Sequence, residues 1–422
     1  MRGRTLIVAM CLGQVGNLLP HVVVPAVMVG HLIPLWGLSN AQAGLMASAY
    51  AAGYMLAVPV LSSLTDRMDA RRILLAGSLF SAAATLAFGL FAGGLASAML
   101  LWGLAGIGFA GAYMPGLKAL TDRLAPGDAS RSVTLYTSSF SVGVGLSFLV
   151  SQVVADTLGW RWAFGLTALG PLAMVFAAWR MAPVAPPAPS GRLLDFRPVL
   201  GNRPALGYIL GYGAHCFELY GMRTWIVAFW TFVVARHGDA ALLDPVTISV
   251  VVTVLAMPAS IFGNELSIRF GRHRAVTLIQ VVSAAVALAI GALAGGPALV
   301  LLALVLVYAV TVPADSGSLT SGMAACAEPG FRGATMALHS TVGFGLSAFA
   351  GWLVGAALDA AGGASSPTGW LAGFAVLAVG VLCGPLALWW SRSGPITAAA
   401  RESGPRSEGA SRTGTSGRRP SR

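Results

Sequence analysis

Polar residues recur at helical spacing inside otherwise apolar stretches. Gln14, Asn17 and His21 stand at i, i+3 and i+7, while Tyr113 and Lys118, the sole lysine, share a second stretch. Tyr212, His215, Glu218, Met222 and Trp225 lie along one helical face, with Arg223 about 140° round from Glu218. Tyr308, Thr311, Asp315 and Ser318 follow at i, i+3, i+7 and i+10. Lys118 and Arg223 are cations suited to neutralising an anionic group such as a carboxylate. Glu218 is an acid at mid-stretch with no opposite charge on its own face, and such a group persists only if water, a cation or a proton neutralises it. The expected binding set is Gln14, Asn17, His21, Tyr113, Lys118, Arg223, Trp225 and Tyr308. The expected proton-coupling set is Glu218, with His215 one turn away and Asp315 as rival carrier. Each residue has a plainer alternative. Lys118 stands i, i+4 from Asp122 and could form a local pair, His215 could simply bond within a bundle, and Arg223 could snorkel to an interface.

These residues need long apolar elements to hold them, and the composition supplies little else. Of 422 residues, 56% are hydrophobic and only 10% charged, with a mean hydropathy of +0.77. A water-facing domain carries about 25% charged residues. A soluble enzyme and a nucleic-acid binder are therefore excluded, although the net charge is +11. Apolar stretches centre near residues 17, 53, 84, 110, 144, 171, 219, 256, 285, 310, 345 and 380. With about 20 residues per crossing, they predict twelve membrane spans. Cys11, Cys216, Cys326 and Cys383 all fall inside such stretches, so no disulfide framework is expected.

The cations sort by side. Of the 26 Lys and Arg, 22 fall in alternate gaps or in the terminal segments, and only Arg161 and Arg236 fall in the others. Lys118 and Arg223 remain within spans. The positive-inside rule then predicts that both termini are cytoplasmic. Met1 to Gly30 carries Arg2 and Arg4 before an apolar run, but Gln14, Asn17 and His21 interrupt it. A cleaved signal has an uninterrupted apolar core, so a retained first span is expected.

The chain divides in the middle at APVAPPAPSG, Ala182 to Gly191, which cannot continue a helix. Six spans precede it and six follow, and the two sets match. VGVGLSF at Val142–Phe148 answers VGFGLSAF at Val342–Phe349, and Pro126-Gly127 answers Pro329-Gly330. LTDRMDARR at Leu64–Arg72 answers LSIRFGRHR at Leu266–Arg274. The expected organisation is a six-helix bundle at 1–181, a cytoplasmic linker at 182–203, a second bundle at 204–393 and a disordered basic tail at 394–422.

Ser62 to Arg72 resembles the loop signature of the major facilitator superfamily, G-x-L-x-D-R-x-G-R-R. Leu64, Asp66, Arg67 and Arg71 match, while Ser62, Asp69 and Ala70 depart from it. Leu266, Arg269, Gly271 and Arg272 match in the second half, where Ile268 replaces the Asp. The resemblance covers about residues 1–393. It implies an all-α integral membrane fold of twelve transmembrane helices in two pseudo-symmetric six-helix bundles, which rock about a cavity lined by helices 1, 4, 7 and 10. It also implies a conformational latch at Asp66, Arg67, Arg71, Arg269 and Arg272. The family's Arg near the start of helix 4 in many proton-coupled members would fall near Trp102 and is missing here. SVGVGLS at Ser141–Ser147 lacks the Gly-Pro pair of drug/proton antiporters.

The reading is a secondary active transporter, proton-coupled, of a small organic anion in a bacterial inner (plasma) membrane. Its expected partners are substrate, protons and lipid, without nucleic acid and as a monomer. Export of amphipathic drugs is the alternative, suggested by Tyr50, Tyr54, Tyr113, Tyr136 and Trp225. A non-transporting sensor is the alternative of another class. No enzyme activity, cofactor or metal is expected, since neither a P-loop nor a metal-ligand spacing occurs.

Overall fold

The computed structural model describes residues 3–124, 129–185, 194–328 and 331–392. The basic tail, Pro126-Gly127, Pro329-Gly330 and part of the Pro-rich linker, Arg192 included, lie outside the described residues. The first half holds α1 (Gly3–Leu18, continued by Val23–Trp36), α2 (Asn40–Leu64), α3 (Ala70–Phe91), α4 (Leu95–Thr121), α5 (Ala129–Leu158) and α6 (Trp160–Trp179). The second half holds α7 (Arg203–His237), α8 (Pro245–Phe270), α9 (Arg272–Ala292), α10 (Ala298–Cys326), α11 (Arg332–Ala360) and α12 (Pro367–Arg392). The described residues contain no strand.

Local chemistry starts these helices where they begin. Ser39 and Gln42 form a reciprocal capping box at α2. Asp244 caps α8 by accepting from the Val246 and Thr247 amides, and Asn202 caps α7 by accepting from Ala205. Among the described residues, ten helices are long and apolar enough to cross a bilayer, and the two pieces of α1 make an eleventh. Helix α7 is the twelfth and the longest, at 35 residues. It is less apolar than the others because His215, Glu218 and Arg223 sit in its interior.

Three helices depart from regularity at prolines, α6 among them where it breaks at residues 168–169 just before Pro171. The pieces of α1 meet at 46° around residues 19–22, where Pro20 cannot donate an amide hydrogen bond. His21 therefore lies in the break. The expected i, i+7 face holds only for Gln14 and Asn17, since the helix ends before it can carry His21 on the same side. In α10 the segment Val312–Asp315, containing Pro313, tightens to a 3₁₀ turn.

The halves meet chiefly through two pairs, α2 on α11 and α5 on α8, beside a smaller contact of α7 with the second piece of α1. The half-chain repeat exchanges these pairs, as a pseudo-twofold axis requires. Glycine lets α2 and α11 approach: a Cβ on Gly44 would collide with the Gly351 carbonyl. Large apolar side chains such as Leu56, Phe262 and Leu386 are exposed on the outside, where hydrocarbon can cover them.

Candidate functional site

An aromatic shell lies between the halves and encloses His21. The His21 ring centre is 5.2 Å from Tyr50, 5.0 Å from Phe109, 5.4 Å from Phe140 and 6.0 Å from Tyr220. Tyr54 stacks on Phe344 at 3.8 Å, and Tyr113 lies 5.3 Å from Phe140. These side chains come from α1, α2, α4, α5, α7 and α11, so the shell draws on both bundles. Arg223 lies at its edge, with its guanidinium 5.8 Å from the Phe140 ring and 5.6 Å from Tyr220, inside cation–π range. It is 5% exposed, its Nε lacks a hydrogen-bond partner, and no described carboxylate pairs with it. Both amide atoms of Asn17 and Nδ1 of His21 are also buried without partners.

A second polar cluster lies inside the second bundle. His215 Nδ1 stands 2.6 Å from Asp315 Oδ1, with both side chains 2% exposed, although off the line of a good hydrogen bond. Gln280 donates to Asp315 Oδ2 at 2.7 Å. Ser283 donates to Glu218 Oε1 at 2.8 Å, and Thr311 lies 3.4 Å from Ser283. His339 of α11 stacks on Tyr212 at 3.8 Å, and Tyr212 stacks on His215. Glu218 and Arg223 thus leave α7 in different directions, the acid into its own bundle and the cation toward the partner bundle.

The expected binding residues separate on these contacts. His21, Tyr113 and Arg223 are brought together between the halves around Phe140, while Asn17 is buried on α1 without a hydrogen-bond partner. Gln14 instead accepts from the Tyr136 hydroxyl at 2.9 Å, tying α1 to α5. The Trp225 indole donates to the Gly351 carbonyl at 2.9 Å. Tyr308 is buried beside Trp225 and Met222 in an apolar void of the second bundle. Lys118 contacts Asp122 at 3.1 Å, the local pair of the plainer reading. Ser318 turns to Ser267 of α8, because the 3₁₀ turn shifts the polar stripe of α10.

Tyr220, Phe109, Phe140, Phe344, Gln280, Ser283 and His339 were absent from the sequence-derived sets. Tyr220 had a signal, standing three residues before Arg223 on α7. Gln280 and Ser283 had none, being neutral residues in a span free of acids.

At the linker end, the loop signature forms one bonded cluster. Asp69, which departs from the signature, is its hub. It receives both Oδ contacts from Arg123 at 2.8 Å, the Val184 amide at 2.9 Å and the Arg71 amide at 3.0 Å. Burial opposes ionisation of Asp69, but hydrogen bonds from Arg123 and the two amides outweigh it and hold the carboxyl below its ordinary range. Arg71 donates to the Ala178 and Trp179 carbonyls, fixing α3 to the end of α6. Asp66 makes only a close approach: it is exposed, and a methyl placed on Gly333, in the first turn of α11, would lie 3.6 Å from its Oδ2. Arg67 is exposed, Arg269 pairs within α8 with Glu265 at 3.2 Å, and Arg272 opens α9.

An open recess of about 460 Å³ faces the end opposite the linker. It is lined by Val29, Asn40, Trp225, Phe232, Arg236 and Ser365, among others.

Similar proteins agree with this architecture. "Protein spinster homolog 1" from Homo sapiens is 25% identical over 208 residues, covering 46% of this chain and 39% of that protein. The Rattus norvegicus protein of that name is 24% identical over 238 residues, covering 53% and 45%. The chain thus spans less than half the length of these curated relatives. A solved bacterial homolog of the human lysosomal transporter spinster, inward-facing and occupied, superposes with a TM-score of 0.68 at 18% identity, covering 92% of this chain and 94% of that one. The D-xylose-proton symporter superposes at 0.72 with 13% identity, covering 92% and 98%. The sequence profile of the Major Facilitator Superfamily matches residues 6–327. This chain belongs to that superfamily and is a multi-pass membrane protein.

Proposed function

We propose that the chain is a proton-coupled secondary transporter of a small organic anion in a bacterial inner membrane, with both termini cytoplasmic. Alternating access follows from rocking of the two halves, 1–181 and 204–393, about the α2–α11 and α5–α8 pairs. The observation that carries the substrate class is Arg223. A guanidinium stays charged in proteins, and a buried charge without a partner is strongly unfavourable. An arriving carboxylate would relieve that burden, with Asn17 and His21 free to hydrogen-bond it and the aromatic shell packing its apolar part. Gln14, Trp225 and Lys118 already have protein hydrogen bonds and serve the site by position, and Tyr308 packs beside Trp225.

The proton site in this reading is the cluster of Glu218, His215 and Asp315, held by Ser283 and Gln280. It neighbours the anion site along α7 without sharing it, so proton and substrate can load together. The second reading, export of amphipathic compounds, is favoured by the same aromatic shell.

Uptake and efflux in sealed membrane vesicles, with and without a pH gradient, test both across a panel of carboxylates, their neutral amides and amphipathic cations. Gradient-driven movement of carboxylates alone supports the proposal. Movement of the cations in preference overturns it for the second reading.

A further inference from the structure

Helices α2 and α11 run antiparallel, so each end of the pair places the last turn of one against the first turn of the other. At the linker end Asp66, two residues past α2, lies near the first turn of α11, where a methyl on Gly333 would stand 3.6 Å from its Oδ2. The opposite end carries the counterpart. Asp359, in the last turn of α11, accepts from the Asn40 amide at 3.1 Å, the Asn40 side-chain amide at 2.7 Å and the Ala41 amide at 2.8 Å. Asn40 and Ala41 are the first two residues of α2, whose unsatisfied amides form the positive end of the helix. Three donors on a single carboxylate, each bridging more than 300 residues of sequence, tie one half of the molecule to the other.

We infer that Asp359 is a gating residue of the transport cycle, holding the end opposite the linker closed by capping α2 from the partner half. The geometry beside it fits that role. Directly along the pair, a Cβ on Gly355 would collide with the Asn40 carbonyl, and one on Gly351 would meet Ser48 Oγ at 2.8 Å. The halves are therefore in close register under the carboxylate, and they cannot part at this end without breaking its bonds. Asn40 also lines the recess at this end, so the bonded pair bounds that recess. Among the described residues, no other acid bonds the first amides of α2. The inference rests on alternating access but not on the identity of the substrate.

The test reads accessibility without substrate. Thr224 is buried beside Gly351, where a Cβ on that glycine would lie 3.4 Å from the Thr224 methyl. In the full chain carrying Thr224→Cys, a membrane-impermeant maleimide is applied to either face of sealed vesicles. Peptide mass spectrometry separates position 224 from the four native cysteines. Asp359→Asn should raise modification about tenfold from the face opposite the linker, the scale of losing charge-assisted bonds at a helix start. Asn40→Pro removes two of the three donors, yet proline suits the first helical position and Ser39 is already extended. It should give the same rise, and it keeps the test open if Asp359→Asn folds poorly. Unchanged modification in the folded variants, or a rise from the linker face only, overturns the inference. A wrong substrate class would leave this readout unmoved.

Discussion

On an α-helix, positions five apart point about 140° from each other. Helix α7 uses that angle to send Glu218 toward Ser283 in its own bundle and Arg223 toward Phe140 across the interface. The carboxylate can therefore exchange a proton without being neutralised by the cation. Glu218→Gln, permanently neutral, should abolish accumulation driven by a pH gradient while sparing substrate exchange between preloaded vesicles. Asp315→Asn in the same two assays identifies which acid of the cluster carries the proton. Wild-type accumulation by Glu218→Gln would remove Glu218 from that role. The spacing of Tyr212, His215 and Glu218 was legible because a charge inside an apolar stretch stands out. Gln280 and Ser283 were not, because a neutral side chain in a span gains meaning only from the acid folded against it.

At the scale of elements, two aspartates three residues apart do different work. Asp69 belongs to one bundle and joins α3, α4 and the start of the linker through Arg123 and Val184. Asp66 stands exposed beside the first turn of α11, in the other bundle. Asp69→Asn should lower stability by roughly 3 kcal/mol, the cost of leaving a buried partner charge alone, and reduce transport only as folded protein is lost. The pH dependence follows from its depressed value. Such a group stabilises fully above the unfolded aspartate pKa of about 3.9 and loses that stabilisation as pH falls through the folded one. The deficit of Asp69→Asn should thus be constant from about pH 5 to 8 and shrink in acid. Asp66→Asn should keep melting temperature and binding while slowing turnover. Thermal unfolding beside single-turnover rates separates the two, and equal rates with Asp66→Asn would make Asp66 topological only. The loop signature pointed to Asp66 but set Asp69 aside as a departure, since Arg123 and Val184 reach it from 54 and 115 residues away. The break in α1 was likewise hidden: polar spacing suggested one continuous face, while Pro20 ended the helix before His21.

The whole molecule is two copies of one plan, and that plan was the most legible part. Matched segments 200 residues apart and charge sorted to one side reflect constraints acting on every span. What the repeat does not encode is the asymmetry between copies. The first bundle supplies most of an aromatic shell, the second supplies the acids, and Arg223 crosses between them. In the proposed function this cation neutralises a substrate anion. The direct measurement is binding of a transported carboxylate and of its neutral amide by wild type and Arg223→Gln in proteoliposomes. The carboxylate should bind roughly 1–3 kcal/mol more weakly to Arg223→Gln, the range for bonds to a charged group, and the amide should bind both proteins alike. Equal losses for both ligands, or no loss for the carboxylate, would contradict it.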